Sequence, residues 1–240
     1  MAEKLAEWSV PVVEGMVRSL HRTTSELGTT FDPSGRSHAG LAVFAELVVR
    51  AVVWSLDRLL GCQAVLAWLV LRPGLEAALV IGKLREDATN AEIWRSRHAN
   101  RAALKKYQST FSGKNLISSA LPRSEELQRV LSHLNSYFVH PNPEYLASQT
   151  RLADLGTSVL ISIDFVDSDP NLLQSHFLSL VHLQAVLHDS LCLCLRRGLG
   201  IVRASLYYDP SEVLKKKAAL AASLTNSSPE AAAILQELNL

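Results

Sequence analysis

The sequence predicts a mainly α-helical bundle carrying a small β-hairpin near residues 148–166. Three observations lead there. Apolar residues recur at helical spacing along nearly the whole chain. Glycines and prolines separate these apolar segments instead of punctuating the chain every 8–12 residues or so, as a β-sandwich would require. A single stretch, "TSVLISIDFV", alternates apolar and polar residues in the manner of a half-buried strand.

Taken in order, a first helix is expected from about Pro11 to Leu27, closed by Gly28 and the turn-rich loop "GTTFDPSGRSHAG". A second runs from about Gly40 to Leu60 and ends at Gly61. The third, "CQAVLAWLVLRPGLEAALVIGKL", contains Pro73, which removes a backbone donor and is expected to bend or interrupt it. Both are apolar on more than one face, which places them at the centre of the bundle. Thr89 to Glu92, "TNAE", reads as a capping box opening one charged, peripheral helix, "IWRSRHANRAALKKYQSTF".

In "EELQRVLSHLNSYF", Leu127, Val130, Leu131, Leu134 and Phe138 form one stripe, and the helix should end before Pro141. In the strand, Val159, Ile161, Ile163 and Phe165 alternate with Ser162 and Asp164, and "LASQTRLA" is its expected hairpin partner. Asp169 and Pro170 supply an N-cap and first-turn pair for a long apolar helix reaching about Arg197. Asp209, Pro210 and Glu212 repeat that signal for "EVLKKKAALAASL", and Ser228 with Pro229 opens a short last helix. The expected organisation is a bundle domain over 1–205, with its core at about 41–200, and a helical appendage over 206–240.

With 240 residues the chain can bury one sizeable core. Its 24 Lys and Arg nearly balance 23 Asp and Glu, so partners must be argued from local patches rather than a global field. Three cysteines, Cys62, Cys192 and Cys194, make no disulfide framework, fit a reducing compartment and read as small core residues. The first residues carry acids and no basic segment ahead of an apolar one, which makes a cytoplasmic location the expectation. In the most membrane-like region, Leu41 to Gly82, the longest charge-free run, "LLGCQAVLAWLVL", falls short of the roughly 20 residues of a spanning helix, so no membrane partner is expected.

Two constellations could carry chemistry. His133, Tyr137 and His140 are spaced four and three apart, which lines two imidazoles and a phenol along one helical stripe; the alternative is a boundary tyrosine and histidines that only cap or face solvent. Arg72 and Glu76 lie four apart in the most apolar helix, where charges must satisfy each other or aim at something, and the guanidinium could face His140. His176, His182 and His188, six apart each, point to three sides of one helix, read as core-edge or surface residues and make no chelating set, and Cys192 and Cys194 make no zinc half-site, so no metal is expected. The chain has no GxxxxGK[ST], GxGxxG, GxSxG or HExxH sequence. The run from Trp94 to Lys106 is dense in Arg and Lys and could meet a phosphate backbone.

The ordered set "LLGCQAVLAWLVLRPGLEAAL", a charged helix, then "LSHLNSYFVHPNPEY" resembles uncharacterised bacterial members of the HEPN-like superfamily. The resemblance covers about Leu41 to Tyr145 and implies a helical bundle with Arg72 and Glu76 near the turn at His140. In well-known members an R-x4-6-H motif cleaves RNA without metal, often in stress or phage-defence systems of the toxin–antitoxin kind. Here no arginine stands five to seven residues before any histidine, and Asn135 occupies the x4 position before His140, so Arg72 would have to come from another helix.

The resemblance thus implies an RNA- or nucleotide-interacting protein with no cofactor. Were it an enzyme, it would be a metal-independent ribonuclease, with His140 and Arg72 catalytic and Glu76, Tyr137, Asn142 and His133 binding. The alternative is a non-catalytic interaction module, a homodimer or the partner of a cognate protein, joined through apolar helices or the edge of "SVLISIDFV".

Overall fold

The computed structural model describes residues 2–29, 37–136, 150–154, 159–163, 169–196, 210–224 and 228. Within them the chain is a helical bundle: α1 (Ala2–Thr29), α2 (Ser37–Leu60), α3 (Ala64–Glu86), α4 (Ala88–Ser96), α5 (Arg101–Thr110), a 3-10 turn (Gly113–Leu116), α6 (Ser124–Leu134), α7 (Pro170–Arg196) and α8 (Pro210–Leu224). The expected hairpin is present as β1 (Thr150–Asp154) and β2 (Val159–Ile163), antiparallel, with Thr150 opposite Ile163 and Asp154 opposite Val159.

α3 lies at the centre, packed against α2, α6 and α7, while α1 closes over α2 and α7. Its fully buried side chains, Trp68, Leu71, Leu75, Leu79 and Ile81, meet Val48, Val52 and Leu59 of α2 in one core with Leu180, Leu183 and Leu187 of α7. Pro73 does not interrupt α3. Its neighbour Gly74 is where α2 comes closest, since a Cβ there would stand 2.7 Å from the Ala51 Cβ. Burial along the whole α2 contact outweighs the roughly 3 kcal/mol that an interior proline costs. Gly82 makes a like contact with Leu121, 2.6 Å from the Cβ it lacks.

Four sequence expectations are corrected. α1 begins before Pro11, whose ring lies on the exposed side, where water can satisfy the carbonyl left without a donor. The charged segment is two helices: Asn100, extended, accepts from the Ala103 N–H at 2.9 Å and starts α5 afresh. α4 is capped by Asp87, accepting from the Thr89 N–H at 2.8 Å, two residues ahead of the expected box. Finally, the outer face of α2 exposes Val43, Leu47, Val53 and Trp54, and α7 is the more enclosed helix.

The start signal at Asp169 holds, its carboxylate accepting from the Asn171 N–H at 2.8 Å. α8, in the expected appendage, docks on α7 through Leu220 and Leu224 against Leu172 and Leu178. The start signals at Asp209 and Pro229 involve residues outside those described. Two helices are long and apolar enough to cross a bilayer, Ala64–Glu86 and Pro170–Leu195, and the windows that qualify are 56% and 89% buried inside the protein.

Candidate functional site

The third turn of α3 points Arg72 toward the end of α6, because these helices pack together and Leu71 and Leu75 beside it are committed to the core. The Arg72 Nη2 donates to Glu76 Oε1 at 3.1 Å, as the four-residue spacing allows, and its Nε donates to Asn135 Oδ1 at 2.5 Å. Both charged side chains are half-buried, so the pair is neither a solvated surface bridge nor a sealed core one. Leu127, Val130, Leu131 and Leu134 anchor α6 to the core and leave its last turn, Asn135 and Ser136, at the rim. His133 is half-buried there.

The structure thus brings together Arg72, Glu76 and Asn135, the residue five before His140. Tyr137, Phe138, His140 and Asn142 lie outside the described residues. Elsewhere on the surface, α5, packed on α4 and the 3-10 turn, presents Arg101, Lys105 and Lys106 to solvent. Arg95 is tied to Glu92 at 3.1 Å, and Arg97 lies 4.0 Å over the Trp94 ring while donating to the Trp94 carbonyl at 2.6 Å. Behind α5, Lys83, Asn90, Ser109, Thr110, Lys114 and Asn115 line a polar cleft of about 580 Å³.

The three histidines of α7 do point to three sides, though two of them are core residues rather than edge or surface ones. His176 accepts from the Trp68 Nε1–H at 3.1 Å through Nδ1, and burial, which disfavours the charged ring, brings it down to about 4. His182 accepts from Lys217 of α8 at 3.2 Å. Burial, then the positive charges of Lys217 and Arg123, bring His182 to about 4, and burial brings Lys217 to about 8.

His188 meets Asp189 and Cys192, a cluster not expected from sequence, where Cys192 alone reads as a core residue. The signal was present in "HDSLC", where histidine and cysteine stand four apart with an acid beside the histidine. Among the described residues no group of three or more His, Cys, Asp or Glu is placed to hold a metal ion. Fold and site define a helical bundle in which an ion pair of α3 is tied to the end of α6. No family model matches the chain, and no curated protein and no solved structure is similar to it.

Proposed function

We propose that the chain is a HEPN-like, RNA-interacting protein of the bacterial cytoplasm, acting in stress or phage defence, with Arg72 supplied from α3 to a site that His140 completes. The observation that carries this reading is the Arg72–Asn135 hydrogen bond, which joins α3 to the position where the R-x4-6-H motif of the resembling proteins has its arginine. Glu76 and Asn135 occupy Nη2 and Nε, so Nη1 has no partner among the described residues and is available to a phosphate oxygen. The exposed Arg101, Lys105 and Lys106 on α5 add a sequence-independent attraction for the backbone.

In a cleavage reaction His140 would take the ribose 2′-hydroxyl proton and Arg72 would stabilise the charge developing on the phosphate. Incubation of the purified protein with labelled RNA in a chelator tests it: products ending in cyclic phosphate, lost with His140→Ala, are expected. Binding without cleavage would leave an RNA-binding protein, and absence of binding would overturn the reading.

A second reading, an interaction module, is favoured by the exposed apolar face of α2. Val43, Leu47 and Trp54 lie on one side of the helix, with Val43 70% and Trp54 55% exposed. Light scattering on wild type and on Val43→Glu distinguishes a protein that self-associates through this face from one that is monomeric.

A further inference from the structure

Three side chains that the RNA reading does not use stand in relay order where α7 packs against α1. His188 Nδ1 lies 2.9 Å from Asp189 Oδ1, and its Nε2 lies 3.5 Å from Cys192 Sγ. A carboxylate only accepts, so the Nδ1 proton is directed at Asp189 and Nε2 is left facing sulfur. There it can take the thiol proton and hold the thiolate as an ion pair, the order of groups that activates a cysteine nucleophile.

α1 brings two hydroxyls to the same sulfur, Ser19 Oγ at 3.9 Å and Thr23 Oγ1 at 4.0 Å. Thr23 already donates to the Ser19 carbonyl at 2.9 Å, so Ser19 is the hydroxyl able to donate to an anionic sulfur. The cluster is enclosed at the sulfur and open at the acid: Cys192 is 4% exposed and the Asp189 side chain 39%. Burial alone would push the His188 imidazole down, but hydrogen bonds to Asp189 and Cys192, and the charges on both, raise it to about 9.

We propose that Cys192 is a peroxide-reactive thiolate, activated by His188 and Asp189 and enclosed so that only small uncharged oxidants reach it. The thiolate sulfur attacks one oxygen of hydrogen peroxide, and the O–O bond breaks. The departing hydroxide takes the Nε2 proton of His188 and leaves as water. Sulfur is oxidised to sulfenic acid and the peroxide is reduced. The added oxygen enters a seam packed by Ser19 and Thr23, so oxidation weakens the hold of α7 on α1.

The test is peroxide treatment of the full chain at about pH 6, where an ordinary thiol is protonated, followed by a sulfenic-acid trap and peptide mass spectrometry. Cys62, half-buried at the end of α2, is the internal control. Cys192 is expected to be trapped at least tenfold faster than Cys62, and Asp189→Asn, at a half-exposed position, to lower that rate about tenfold. Thiolate absorbance at the same pH, taken as wild type minus Cys192→Ser, should show one anion that Asp189→Asn removes. Equal rates for Cys192 and Cys62, an unchanged rate in Asp189→Asn, or no thiolate absorbance would each overturn the proposal.

Discussion

At the scale of single residues, the chain holds several side chains in states that their types do not favour, and each has a measurable consequence. Cys62 follows α2 with φ +57°, its N–H bonded to the Leu59 carbonyl at 2.9 Å and the Gln63 N–H to Arg58 at 3.0 Å. That is a Schellman ending with cysteine where glycine is usual, one residue later than the Gly61 stop read from sequence. Cys62→Gly is expected to stabilise the protein by about 0.5–1 kcal/mol in urea unfolding, and Cys62→Val to destabilise it. Protonation gives a second residue-scale prediction. His176 and His182 have folded values near 4, below the ordinary 6.5, so the unfolded chain binds more protons between those limits. Stability should fall as pH drops from about 6.5 to 4, by at most roughly 3 kcal/mol for each. His176→Gln should flatten part of that acid limb. His188 has the opposite sign: raised to about 9, it contributes stability that is complete below pH 6.5 and lost as pH rises through 9.

At the scale of elements, packing settles what local signals leave open. Pro73 is a reliable breaker read locally, yet α3 continues through it because the α2 contact at Gly74 spans the proline. Gly74→Ala should therefore push α2 and α3 apart and cost about 1–3 kcal/mol, measured by thermal or urea unfolding, more than the same change at the exposed Gly61. The charged segment failed in the other direction. Its run of helix formers hid the break at Asn100, whose cap is a short-range hydrogen bond that an asparagine inside a helical pattern does not announce. Asn100→Ala should cost about 1 kcal/mol. Gln184 joins α7 to α2 inside the core, donating to Ser55 Oγ at 2.8 Å. Its carbonyl oxygen has no partner among the described residues, so Gln184→Met should be close to neutral and Gln184→Ala clearly destabilising.

At the scale of the whole molecule, helical periodicity carried the fold class, the central place of α3 and the α6 stripe from Leu127 to Leu134, and two-residue alternation carried the hairpin between Thr150 and Ile163. Periodicity could not tell which side of α2 stays uncovered, because an apolar helix reads the same whether α1, α7 or nothing lies against it. The candidate site was legible in part. Arg72 and Glu76 stood out as charges in an apolar helix, whereas their tie to Asn135 crosses 63 positions of sequence and only the packing of α3 on α6 creates it. The Cys192 relay stayed hidden because the cysteine reads as core and the histidine as an edge residue until the ring and the sulfur are seen to face each other.

The most direct test of the central claim, that Arg72 reaches across from α3 to serve an RNA site, is fluorescence anisotropy of a labelled RNA with wild type and with Arg72→Ala. The claim predicts a loss of at least tenfold in affinity at low salt while the circular dichroism spectrum stays unchanged. Equal affinity for both proteins, or no binding by either, would contradict it.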